Sequence, residues 1–191
     1  SEEKFLLVIN ASNTEEDLRW IKSINNDSVI ENITEKTGML AIQGPNALEK
    51  INSITNNSLV NLGRYRHKEI HLEGASVFVA RTGYTGEDGV EIIFQNSDAD
   101  AIWEHLNKLS IKPCGLGARD LLRVEAGLHL YGHEIRKESN PYDIGLGRLL
   151  ETNSKNYINY DYIHGDKIKE GKYTLVGLVI NDRGMAREGN E

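Results

Sequence analysis

The chain is 191 residues long, with 39% hydrophobic and 27% charged residues, which fits a folded domain with a real core and excludes a disordered chain. Its net charge of −7 argues against nucleic acid and against an anionic membrane surface, and no apolar run approaches the roughly 18 residues of a membrane span. One cysteine, Cys114, rules out an intramolecular disulfide and fits a reducing compartment such as the cytoplasm. In chain order, Phe5–Ile9 reads as a short buried strand. Ser12 and Glu15 have the spacing of a capping box, ahead of a helix carrying Leu18, Ile21 and Ile24. Residues 28–36 and 38–43 read as two strands. Gly44-Pro45 ends the second and opens a helix with Pro45 in its first position and Ala47, Leu48, Ile51 and Ile54 on its apolar face.

The stretch 52–63 reads as a polar loop, and 67–73 with 75–80 as a hairpin around Glu73-Gly74. A glycine-rich turn follows, Arg81-Thr-Gly-Tyr-Thr-Gly-Glu-Asp-Gly89, and runs into the strand Val90–Gln95. Residues 98–109 make a helix with Ala101, Ile102, Leu106 and Leu109 inward, and 116–126 another that stops at Gly127. A polar loop over 131–141, a short helix over 143–150 and a last strand, Tyr173–Ile180, complete the chain. Hairpins interleaved with a few helices predict an α+β fold of antiparallel sheets with packed helices. The first residue is not Met and the last strand has no partner after it, so the chain reads as a piece of a longer protein.

Chemistry narrows to two residues. Gly83, Gly86 and Gly89 lack the dinucleotide spacing and precede a strand, whereas a dinucleotide loop feeds a helix N-terminus. His129 and His133, and His67 and His71, match no metal-site order, and no metal is expected. Cys114 lacks a nucleophile's surroundings and reads as a small buried residue. Glu91 lies on the strand face opposite Val90, Ile92 and Phe94, beside Ile93. Arg119 has no acid at i±3 or i±4 in its helix, whereas Arg123 reaches Asp120. A carboxylate beside an apolar neighbour and an arginine without a local partner suit a polar organic ligand. Taken singly, an edge-strand charge and a solvated arginine explain them as well.

Several segments, in order and over nearly the whole chain, resemble the T-protein family of the glycine cleavage system, the aminomethyltransferases. They are Leu7-Val-Ile-Asn-Ala-Ser-Asn13, Ala41-Ile-Gln-Gly-Pro45, Gly83-Tyr-Thr-Gly-Glu-Asp-Gly-Val-Glu-Ile92, Gly117-Ala-Arg-Asp-Leu-Leu-Arg-Val-Glu-Ala-Gly127, Leu130-Tyr-Gly-His-Glu-Ile135, Gly145-Leu-Gly147 and Leu175-Val-Gly-Leu-Val179. Arg148 departs from the family's usual Trp.

The resemblance implies transfer of a one-carbon unit from the aminomethyl-lipoyl arm of H-protein to tetrahydrofolate, with release of ammonia. It implies that Glu91 holds the pterin, that Arg119 is a folate-site arginine and that Asn10 lines the pterin pocket, with Tyr84 a candidate neighbour. It places the family's catalytic aspartate upstream of Ser1, so no catalytic residue is assigned within the chain, which by itself is expected to be inactive in transfer. It also implies a folate-binding module over 1–172 and the first strand of a C-terminal barrel over 173–191. A cytoplasmic, bacterial protein is expected, or a mitochondrial one if eukaryotic. A related one-carbon demethylase module and a non-catalytic folate-binding scaffold are the alternatives.

Overall fold

The computed structural model describes residues 4–56, 59–150, 158–165, 171–181, 183 and 184. Contacts divide the chain into two compact units, Ser1–Leu128 and His129–Glu191.

The first unit is built on a four-stranded antiparallel sheet of order β1-β4-β3-β2, with β1 at Thr37–Gln43, β2 at His67–Leu72, β3 at Ala75–Ala80 and β4 at Gly89–Gln95. The expected hairpin forms. Leu72 pairs with Ala75, and Glu73 and Gly74 both take positive φ, 52° and 84°, the turn that matches strand twist. Period-two alternation turns Ile42, Ile70, Leu72, Val77, Val79, Val90, Ile92 and Phe94 to one face, where all are buried. Helices α2 (Ala47–Ile54) and α3 (Ala99–Lys108) join that core through Ala47, Ile51, Ile102 and Leu106. Lys50 Nζ donates to the carbonyls of Leu109 and Ser110 at 2.9 and 2.8 Å, and so ties α2 to the end of α3. His105 Nδ1 lies 3.0 Å from Glu73 Oε1, which ties α3 to the hairpin turn.

Several expected elements differ, each for a local reason. Phe5–Ile9 is exposed and forms no strand, because no strand among the described residues pairs with it. Ser28 to Ile33 forms no strand either, and Thr34–Lys36 is a 3-10 turn. Asn32 Oδ1 accepts the Thr34 N–H at 3.0 Å and its hydroxyl at 2.7 Å, a local bond that competes with a ladder. The capping box is not made. Ala11–Asn13 winds as a 3-10 turn that swallows Ser12, and helix α1 starts at Thr14 and runs to Ile24. Pro45 lies in a turn before α2 rather than in its first position, since Gly44 at φ 125° redirects the chain and α2 begins at Ala47.

The stretch expected to be polar, 52–63, contributes Leu59 and Leu62 to the core, and Asn52 Oδ1 holds the Leu59 N–H at 3.1 Å. In α3, Ala101 points outward and Ala99 packs inward instead. Cys114 is exposed rather than buried. Its Sγ lies 3.4 Å from the Lys112 carbonyl in the loop that precedes the last helix of this unit.

That helix, α4 at Leu116–Glu125, ends as its Gly127 foretold. Gly127 takes φ 67°, its N–H bonds the Val124 carbonyl at 2.9 Å, and the Leu128 N–H bonds Arg123 at 2.8 Å. This is the paired closure that a left-handed residue permits after a helix.

In the second unit, Tyr131 and Ile135 form a bridge, Gly147–Leu149 is a 3-10 turn in place of the expected helix over 143–150, and α5 spans Tyr160–Ile163. The opening barrel strand expected at Tyr173–Ile180 is not formed, and these residues lack regular secondary structure. Among the described residues no helix is long and apolar enough to cross a membrane.

Candidate functional site

The glycine-rich turn is closed at its base by a two-pronged ion pair. Arg81 Nε and Nη2 donate to Asp88 Oδ1 and Oδ2 at 3.1 and 2.6 Å, and Arg81 Nη1 donates to the Leu62 carbonyl at 2.7 Å. The fork geometry of guanidinium and carboxylate gives direction as well as attraction. The hydrogen bond from Arg81, helped by the Gly89 N–H, holds the Asp88 carboxyl below the usual carboxylate range, against the opposing effect of burial. A depressed folded pKa contributes stability that is present above the unfolded value and is lost as pH falls through the folded one. Protection of the amides over residues 82–89, relative to their intrinsic exchange rates, should therefore fall on acidification below the usual carboxylate range, and Asp88→Asn should show that lower protection already at neutral pH.

Strand β1 grips the other side of the turn. The Gly44 N–H donates to the Asp88 carbonyl at 2.9 Å, and Gln43 Nε2 donates to the carbonyls of Thr82 and Val90 at 3.0 and 3.1 Å. Gly89 pairs with Gln43 across the ladder. A Cβ there would run into the Ile42 carbonyl oxygen and lie 2.8 Å from Gln43 Cα. Backbone cannot yield as a side-chain tip can, so Gly89→Ala should destabilise the chain by about 1–3 kcal/mol. Gly117→Ala, where a Cβ meets nothing within 4 Å, is the control in urea denaturation.

The turn lies along one face of α4. The Arg119 guanidinium carbon stands 4.7 Å from the centroid of the Tyr84 ring, a cation–π distance. Two helical turns on, a Cβ at Gly86 would stand 2.8 Å from Ala126 Cβ, so the loop presses close to the helix at both places. Arg123 falls between Arg119 and Ala126 on the same helix face and is only 4% exposed. It donates to Asp120 Oδ1 at 2.9 Å, as its spacing foretold, and to the Leu128 carbonyl at 3.2 Å. Of the described residues of α4 only Arg123 is buried, while Leu116, Leu121 and Val124 are exposed.

Glu91 lies on the sheet face away from the core, as its alternation with Val90 and Ile92 foretold. Its cross-strand partners are Ala41 and Ala80, so only methyl groups stand directly opposite it on the two neighbouring strands. The carboxylate has no hydrogen-bond partner among the described residues. Burial pushes its pKa up, and the charge of Arg119 offsets part of that rise. The structure thus brings Glu91, Arg119 and Tyr84 into one neighbourhood.

Asn10 stands apart in its bonding. Its carbonyl accepts the Asn13 N–H at 3.0 Å, its side chain is exposed, and no hydrogen bond joins it to Glu91 or Arg119 among the described residues. Sequence reasoning missed Gln43 and the Arg81–Asp88 fork. The fork had a signal in opposite charges at the two ends of a glycine turn, whereas Gln43 had none beyond its place before Gly44-Pro45.

Known proteins share this arrangement of chain. The sequence profile of the GCVT N-terminal domain matches residues 1–154. An aminomethyltransferase of Exiguobacterium sibiricum is 37% identical over 188 residues, covering 98% of this chain and 52% of that protein. One from Herpetosiphon aurantiacus is 38% identical over 189 residues, with the same shares. One from Alkaliphilus oremlandii is 38% identical over 198 residues, covering all of this chain and 54% of that protein. The crystal structure of the glycine cleavage system aminomethyltransferase T from Bartonella henselae aligns with a TM-score of 0.62 at 28% identity, over 84% of this chain and 40% of that one. This chain spans about half the length of the curated relatives it matches. The chain belongs to the GCVT N-terminal domain family, the T-protein family that its ordered motifs resemble.

Proposed function

We propose that this chain carries the folate side of an aminomethyltransferase, and that the whole protein moves a one-carbon unit from the aminomethyl-lipoyl arm of H-protein to tetrahydrofolate, releasing ammonia. The observation that carries the reading is Glu91, a partly buried carboxylate without a hydrogen-bond partner among the described residues, flanked by two alanines and facing the charge of Arg119. The 2-amino-4-oxo edge of a pterin offers two parallel N–H donors, which a carboxylate accepts side by side. Such donors favour the ionised carboxylate and so offset the cost of its burial.

Arg119 contributes positive charge beside the site, and Tyr84 supplies a ring on which its guanidinium rests. Asn10 is assigned to the pterin pocket by likeness to the family. The assignment of residues 1–172 to the folate module, and of 173–191 to the start of a barrel, stands on the same likeness. Calorimetric titration of tetrahydrofolate into this chain and into Glu91→Ala tests the site. Saturable binding that Glu91→Ala abolishes supports the reading, and equal binding by both chains overturns the role of Glu91. Ammonia release by the whole protein with aminomethylated H-protein and tetrahydrofolate tests the reaction.

A further inference from the structure

We infer that Gln43 is the positioning residue of this site: its single carboxamide sets Tyr84, and through it Arg119, relative to Glu91. The inference rests on the folate reading for its ligand and on the geometry alone for the positioning. Gln43 Nε2 donates to the Thr82 carbonyl at 3.0 Å and to the Val90 carbonyl at 3.1 Å. The Thr85 hydroxyl lies 3.5 Å from Gln43 Oε1. Thr82 and Thr85 bracket Gly83-Tyr84, and Val90 immediately precedes Glu91. One planar group therefore ties the chain on both sides of Tyr84 to the strand residue before Glu91.

The surroundings are shaped around this side chain. Gln43 closes β1 opposite Gly89, whose missing Cβ leaves the room the Gln43 side chain occupies, since a Cβ there would stand 2.9 Å from Gln43 Cδ. Gly83 does the same from the turn, where a Cβ would collide with Gln43 Oε1. Two donors converging on two carbonyls, with an acceptor facing a hydroxyl, is a demand that a primary amide of this length meets. Asn is one methylene too short. Glu presents no donor when ionised and sets negative charge against two carbonyl oxygens. Met keeps the length and loses every hydrogen bond. Tyr84 lies between two of the residues that the amide holds, so losing the amide loosens the turn that carries its ring and, with it, the platform on which the guanidinium rests.

The test uses the full chain with Gln43→Met and Gln43→Glu, and Tyr84→Leu as the reference for a missing ring. The first readout needs no ligand. The Arg119 side-chain protons lie over the Tyr84 ring and carry its ring-current shift, measured by NMR while the Ile102 and Val79 methyl signals report the core. The second is tetrahydrofolate affinity by calorimetry. With core signals unchanged, both Gln43 variants are expected to move the Arg119 shifts to the values of Tyr84→Leu and to weaken tetrahydrofolate about tenfold or more, as expected for loss of hydrogen bonds each worth about 1 kcal/mol.

Wild-type Arg119 shifts in a folded Gln43→Met overturn the inference, as does wild-type affinity once those shifts are lost. If Gln43→Met fails to fold, Gln43→Glu decides by the same two readings. A wild-type chain that binds no tetrahydrofolate removes the folate reading, while the ring-current comparison still decides whether Gln43 positions Tyr84.

Discussion

Replacing Glu91 by Gln is expected to weaken tetrahydrofolate binding roughly 10- to 150-fold, because it exchanges two charge-assisted hydrogen bonds, worth about 1.5–3 kcal/mol each, for neutral ones worth about 0.5–1.5 kcal/mol each. The amide also turns an N–H toward a donor edge of the pterin. The free chain is expected to be no less stable for the change. Burial raises the folded pKa of Glu91, with Arg119 offsetting part of the rise. A carboxyl whose folded pKa lies above its unfolded one binds its proton more tightly when native. Its contribution to stability is therefore largest in acid and falls as pH climbs from the ordinary carboxylate value through the raised one.

At neutral pH the ionised group is a penalty on the free chain, and Gln removes it. Calorimetry and thermal melts on one preparation check both halves: affinity falls while Tm holds or rises. A Tm that drops together with affinity would show that Glu91 supports the fold instead. Wild-type affinity should also weaken as pH falls into the range where Glu91 protonates, which lies above the ordinary carboxylate range. In the Gln variant the part of that weakening owed to Glu91 should be absent.

Ile102→Ala is expected to be the most destabilising single substitution considered for this chain, at about 2–5 kcal/mol. Ile102 has no exposed surface and lies in the core of α3 against the sheet. Truncation there loses the transfer of three carbons from water and leaves a space that a sheet and two helices cannot close. Domains of this kind are stable by about 5–15 kcal/mol in all, so the change consumes a large share. Urea denaturation should show a lower midpoint with an unchanged slope. Leu116→Ala gives the contrast: Leu116 is 80% exposed, and its loss should fall within about 0.5 kcal/mol. A large effect at Leu116 would mean that the leucines of α4 are covered in solution.

The elements most legible in the sequence were those whose cues are local. The Glu73-Gly74 turn, the alternation of Val90, Ile92 and Phe94 against Glu91, the Gly127 stop and the Arg123–Asp120 pair all follow from spacing within one element or one turn. Phe5–Ile9 has a strand's composition, yet a strand also needs a partner, and composition carries no information about one. At the two ends of the strand expected over 28–36, Ser28 and Thr34 give their N–H groups to the Asn25 and Asn32 carboxamides, nearer bonds than a ladder would offer. Leu59 and Leu62 were hidden inside a stretch that reads as polar on average, and only the packing of α2 and the sheet drew them in.

The sequence by itself determined the α+β class, the sheet face on which Glu91 stands and, through the order of its motifs, the family. Each of these depends on residues near one another in the chain or on the motifs themselves. Tertiary structure decided that α4 buries Arg123 and leaves its leucines outside, that Arg119 rests on Tyr84, and that Gln43 reaches from the end of β1 to both sides of the glycine turn. Those contacts join residues 35 to 47 positions apart in the chain. No local period records them, because what makes them favourable is the closing of one sheet and one helix around a shared turn.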